Sequence, residues 1–127
     1  MTKADELQER VERFADAVIA LVQGLPDGLT PRRLGGQLLD AGTSVAANYR
    51  AARKGKSYAD FTAKVGTVSE EADEAVYWLT RLRNAGIHAA QPLEPLLAEA
   101  VELSRIFSAM ARTTRRRRGR QRPEAAR

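Results

Sequence analysis

Cysteine is absent from this chain, and histidine occurs once, at His88. The first absence excludes disulfides and thiolate metal sites. The second excludes any metal cage built from several histidines of one chain. No long apolar run is present near the start: the longest, Ala17–Val22, is closed by Asp16 and Gln23. A bilayer span needs about 20 such residues, so no membrane partner is expected. The opening Met1-Thr2-Lys3-Ala4-Asp5 turns acidic at once and lacks the apolar core of a secretory signal. A soluble cytoplasmic protein is therefore expected. Alternating β-branched residues are missing too, so no strand is predicted.

What is present is helical periodicity. Leu7, Val11, Phe14, Val18, Leu21 and Leu25 step by 4 and 3, which predicts a first helix over about 4–24. Gly24 and the following Leu-Pro-Asp-Gly stop it. Thr30-Pro31 reads as a capping hydroxyl followed by proline at the first helical position. Leu34, Leu38, Ala41, Val45 and Tyr49 then carry a second helix over about 31–54. Gly35, Gly36 and Gly42 interrupt this pattern at a cost of about 1 kcal/mol each relative to alanine. Either the helix starts later than Pro31, or these small residues let a neighbouring helix approach closely.

Ser57 is the expected cap of a third helix over about 58–86, with Asp60 three residues on. Tyr58, Phe61, Val65, Val68, Ala72, Ala75, Leu79 and Leu82 form its seam, and Gly86 its stop. Leu93, Leu96, Ala100, Leu103, Phe107 and Met110 make a fourth over about 92–113, widened by Leu97 and Val101. One domain of 127 residues with four amphipathic helices and short connections favours an all-α, antiparallel up-down-up-down four-helix bundle. Phe14, Phe61 and Phe107 lie on seams and are core candidates. Tyr77 and Trp78 lie off the third seam, which predicts packing against a second neighbour or another subunit.

The net charge of +5 is unevenly divided. Residues 112–127 hold eight arginines and one glutamate, whereas residues 1–111 hold thirteen Lys/Arg and fifteen Asp/Glu. A slightly acidic body thus carries a strongly basic tail, the pattern of an arm that meets a polyanion. Residues 114–127 are expected to be a disordered tail outside the bundle. Arg112 just before it, with Arg115, Arg116, Arg117, Arg118, Arg120 and Arg122 within it, are candidate contacts to RNA or DNA phosphates. Arg50, Arg53, Lys54 and Lys56, around the turn between the second and third helices, form a second candidate patch. A tail that only solubilises a structural or protein-interaction oligomer is the alternative.

Asn48 and Arg50 stand in an otherwise apolar or small segment. A polar cluster of Asn48, Arg50, Glu71 and Glu74 fixing register between two helices is one expectation. Solvated charges are the other. A carboxylate-bridged metal pair would need two Glu-x-x-His motifs, and His88 is not in one. Arg83 and His88 have the Arg-x4-His spacing of the HEPN-class helical ribonucleases, but Gly86 between them should end the helix. No catalytic residue and no cofactor is predicted.

Gly42-Thr43-Ser44-Val45-Ala46-Ala47-Asn48-Tyr49-Arg50 resembles the "GTSVGANYREA" stretch of the four-helix bundle proteins also called 23S rRNA-intervening-sequence proteins. Ser57-Tyr58-Ala59-Asp60-Phe61 with Lys64, then Glu71 to Leu79, resembles the pattern "S-x-x-(D/E)-F-x-x-K … E-x-x-E-(T/S)-x-Y-W-L" of that family. The resemblance covers roughly residues 10–110. It implies a left-handed antiparallel bundle assembling into a homopentameric ring. It also implies kinship with the accessory protein of diversity-generating retroelements, whose basic pentamer binds a reverse transcriptase and nucleic acid. Ala51 stands where the family usually has glutamate, and the arginine-rich tail lies outside the pattern.

Overall fold

The computed structural model describes residues 1–121. Four helices follow in order: α1 (Lys3–Gln23), α2 (Leu29–Arg53), α3 (Tyr58–Asn84) and α4 (Leu93–Gln121). Among the described residues there is no strand. Each helix packs on the next in the chain, and α1 also meets α4, which closes a four-helix bundle. No helix among the described residues is long and apolar enough to cross a membrane.

The helix ends obey local chemistry. Thr2 and Asp5 form a reciprocal capping box at α1: the Asp5 N–H donates to the Thr2 hydroxyl, and the Thr2 N–H to the Asp5 carboxylate, each at 3.0 Å. The Ser57 hydroxyl accepts the Asp60 N–H at 3.0 Å and caps α3. Gly86, at φ +70°, ends α3, with the Gly86 N–H on the Arg83 carbonyl and the Ile87 N–H on the Leu82 carbonyl, both at 3.1 Å. This paired arrangement satisfies carbonyls that the helix end leaves open. Helix α2 departs from expectation. It starts at Leu29, with Gly28 at φ +130° as its cap and no side-chain capping bond. Thr30 and Pro31 therefore sit inside the first turn, where the N–H that proline lacks has no helical acceptor.

The glycines of α2 resolve the choice left open by the sequence. A Cβ on Gly42 would lie 2.7 Å from one methyl of Val18 and 2.8 Å from the other. One on Gly35 would lie 2.8 Å from Leu25 Cδ1. Gly42 lets α1 approach and Gly35 makes room for Leu25 just after α1, whereas Gly36 faces open space. With Asp5 against Arg53, Val18 against Gly42 and Val22 beside Gly35, partner numbers fall along α2 as they rise along α1.

One continuous core fills the bundle, and its largest fully buried side chain is Phe107. Tyr49 of α2 meets Phe107 of α4 edge-on, ring centroids 5.3 Å apart, across the bundle. A smaller cluster of Ala52, Val65 and Ala111 joins α2, α3 and α4 towards the end of the bundle that holds the α2–α3 turn. The Arg10 guanidinium clasps Glu99 with two hydrogen bonds, at 2.8 and 2.7 Å, tying α1 to α4.

The segment expected to be a disordered tail is helical through Gln121. The reason is the seam: Phe107, Ala111 and Thr114 are buried and Arg118 is half-buried, at spacings of 4, 3 and 4. Packing of these positions outweighs like-charge repulsion among arginines one turn apart, worth only a few tenths of a kcal/mol per pair. Arg122 and the residues after it lie outside the described residues.

The glycine contacts give a paired test by urea unfolding. Gly42→Ala should destabilise the protein by about 1–3 kcal/mol, because its methyl has no room against Val18. Gly36→Ala should stabilise it by about 0.5–1 kcal/mol, since alanine is the better helix former and nothing obstructs it. Equal effects at the two positions would contradict the close approach.

Candidate nucleic-acid interface

The two basic stretches singled out in the sequence are far apart in the chain but meet in the fold. Ala52 packs in one cluster with Ala111, which places the end of α2 and the last turns of α4 at one end of the bundle. Around that end stand Arg50, Arg53, Lys54 and Lys56 from α2 and its turn, all exposed. Arg112, Arg115, Arg116, Arg117 and Arg120 of α4 are exposed beside the seam. Arg118 is half-buried because it continues the seam. Arg122 lies outside the described residues.

Helical spacing sorts these arginines. Arg112, Arg115, Arg116 and Arg120 recur one turn apart and so share one face of α4 over about 12 Å. The first three line a hollow of about 320 Å³. Between α1 and α2 a shallow groove of about 430 Å³ is lined by Gln8, Glu12, Arg50, Arg53 and Lys54. Gln8 and Glu12 were not among the candidates, since only the pairing of α1 with α2 brings them there.

Not every cation at this end is free. Arg53 Nη2 donates to Asp5 Oδ1 at 2.6 Å, so a residue of the α1 capping box also holds a basic side chain of α2. Lys64 is held by both oxygens of Asp60 at 2.6 Å. The Thr2 backbone N–H, and then the Arg53 guanidinium, draw the Asp5 carboxyl down to about 2. Lys64, and then the Lys56 N–H, lower that of Asp60. Among the described residues Arg50, Lys54, Lys56 and the α4 arginines from Arg112 to Arg120 form no ion pair.

The expected cluster of Asn48, Arg50, Glu71 and Glu74 is not formed. Asn48 Nδ2 donates to the Ser44 carbonyl of its own helix at 2.9 Å. Arg50, two residues on, points round to the α1 groove beside Gln8 and Glu12. Glu71 is half-buried and Glu74 exposed. Desolvation raises the Glu71 carboxyl, and Glu74, Glu70 and Asp40 raise it further. Residues at i and i+2 of a helix face different ways, which separates Arg50 from the α3-facing side of α2.

Tyr77 and Trp78 also part company. Trp78 is half-buried and packs against the edge of its own chain's core. Its indole N–H is buried without a hydrogen-bond partner among the described residues. Tyr77 is 53% exposed. Arg83 and His88 are both exposed, on either side of the helix stop at Gly86, and no pair forms.

Asp5 and Glu71 should respond to acid with opposite signs. Asp5 has a folded pKa below its unfolded value of about 3.9, so its contribution is complete above about pH 4. It disappears as the pH falls towards 2. Asp5→Asn should therefore lower the melting temperature at pH 7, with the gap to wild type closing as the pH approaches 2. Glu71→Gln should raise the melting temperature at pH 7, with the gain shrinking once Glu71 is protonated in the wild type. Gaps that stay constant with pH would contradict both assignments.

No curated protein matches the sequence. A solved structure from Bacteroides thetaiotaomicron, described as a protein with unknown function from the S23 ribosomal protein family, shares the fold. Its TM-score is 0.74 at 24% identity, over 87% of this chain and 99% of that one. The model of the 23S rRNA-intervening sequence protein family matches residues 4–109, which leaves the arginines from Arg112 onward outside the match. With that span covering α1 to α3 almost entirely and most of α4, the chain belongs to the 23S rRNA-intervening sequence protein family.

Proposed function

We propose that this chain is a non-catalytic, nucleic-acid-associated scaffold that acts as a homo-oligomer. The observation that carries the reading is the convergence of two basic segments on one end of the bundle. Arginine binds phosphate as a planar fork, and the exposed α4 arginines are free of carboxylate partners among the described residues. The family name, which refers to an insertion in ribosomal RNA, makes RNA the first polyanion to test. The resemblance to the retroelement accessory protein adds a reverse transcriptase as a candidate protein partner.

Assembly is supported by an apolar trough of about 350 Å³ between α1 and α4, lined by Phe14, Ala17, Leu21, Pro92, Pro95 and Leu96 among others. A ring of five, as the resemblance implies, would gather five arginine stripes on one rim and multiply their local concentration. Sedimentation equilibrium should show a species well above the 14.0 kDa of one chain. A stable monomer at micromolar concentration would remove the assembly from this proposal.

Affinity for single-stranded RNA should fall linearly with salt on logarithmic axes. With about five phosphates neutralised per chain the slope is about −3.5, at roughly −0.7 for each. Substituting Arg112, Arg115, Arg116, Arg117 and Arg120 by Gln spares the buried Thr114, so fold and assembly should persist. The slope should then flatten to about −1 to −2, and binding should weaken alike for all sequences, because phosphate contacts carry no base information. If the variant binds as tightly as the parent, the arginines only solubilise the protein. If neither binds at low salt, a structural or protein-interaction oligomer takes the place of this reading.

A further inference from the structure

We propose that Tyr77 and Arg81 form a second, separate contact for single-stranded nucleic acid, one that stacks an unpaired base. The site lies on α3 far from the basic end: nineteen residues separate Tyr58, at the start of α3, from Tyr77, about 29 Å of helix. It thus goes beyond the arginine-stripe reading and does not depend on it.

Tyr77 is the one large aromatic among the described residues that is left more than half in solvent. Its ring is nevertheless held in place. The Trp78 indole meets it edge-on at 4.9 Å and 88°, and the Arg81 guanidinium lies 5.2 Å from its centroid. An aromatic ring fixed from two sides and open on the remainder is a platform for a base, since every base presents a π face. A guanidinium within cation–π range of that ring adds a charge to hold the adjoining phosphate.

The surrounding charges set the character of the site. Arg81 and Arg83 are exposed in the last turn of α3, and neither forms an ion pair among the described residues. Asp73 and Glu74, also exposed, stand one turn before Tyr77. Phosphate attraction is therefore modest and stacking dominates. Two arginine–phosphate contacts give a salt slope of only about −1.4, against about −3.5 at the other end. A duplex, whose bases are already stacked and paired, has no free face to offer this ring. The partner is thus an unpaired stretch of RNA or DNA.

Trp78 is the only tryptophan of the chain and touches the proposed platform, so its fluorescence reports on the surroundings of this site. The test titrates the full chain with a ten-nucleotide uridine strand, following Trp78 emission and, separately, the anisotropy of the labelled strand. Saturable change in Trp78 emission is expected both in the wild type and in the variant lacking the five α4 arginines. Tyr77→Ala should weaken this phase about tenfold, and Tyr77→Phe, which keeps the ring, should preserve it. A duplex of equal length should leave the emission unchanged. Three results would overturn the assignment: anisotropy showing binding while Trp78 stays silent, equal affinity for Tyr77→Ala, or no binding by either readout. If Tyr77→Ala instead breaks the protein into smaller species with binding intact, the ring is a subunit contact and the assignment is likewise overturned. Loss of the steep salt-dependent phase alone would count against the arginine stripe and not against this site.

Discussion

Val18 of α1 lies so close to Gly42 of α2 that a single added methyl group has no room. This approach sets the distance and register of the first two helices, and the basic end of the bundle depends on it. With Val18 on Gly42, Asp5 arrives at the end of α2, where it holds Arg53. Gln8 and Glu12 arrive beside Arg50 and Lys54. The cluster of Ala52, Val65 and Ala111 then brings the end of α4 to the same place. A basic surface thus arises from segments more than fifty residues apart in sequence, and packing of small residues brings them together.

Electrostatics divides that surface into used and unused charge. Asp5 holds Arg53 and Asp60 holds Lys64, and both carboxyls are drawn below their ordinary range by those partners and by backbone N–H groups. These pairs are largely solvated, and their contribution to stability is small. Their effect on function is larger, because a cation already facing a carboxylate attracts a phosphate less. The arginines of α4, like Arg50, Lys54 and Lys56, have no such partner among the described residues, so the unpaired positive charge of this end lies on the α4 stripe and the α2–α3 turn together.

Most of the fold was legible in the sequence because each helix has a regular seam and local stop signals. The Ser57 cap and the Gly86 stop are interactions within one or two turns, and both are present in the fold. Three features depended on information that periodicity does not carry. Gly28, through its positive φ, takes the capping place expected of Thr30. Asn48 and Arg50 looked like partners for Glu71 and Glu74, but residues two apart on a helix face different neighbours, and Arg50 turned to α1. The arginine-rich stretch looked structureless by composition. Its seam through Phe107, Ala111, Thr114 and Arg118 was present at helical spacing, hidden because a threonine and a half-buried arginine occupied its last positions. Of the candidate site, the residue types were readable from charge alone. Their convergence on one end was not, since it results from how α2 and α4 pack.

If the α2–α3 turn and the last turns of α4 act as one interface, both must meet the same strand in a single binding event. Amide chemical-shift mapping of the full-length protein with a short single-stranded RNA tests this directly. Shifts are predicted at Arg53, Lys54 and Lys56 together with Arg112, Arg115, Arg116 and Arg120, all on one saturation curve and all reversed by salt. Shifts confined to one of the two segments, or two segments titrating with different affinities, would contradict a shared interface.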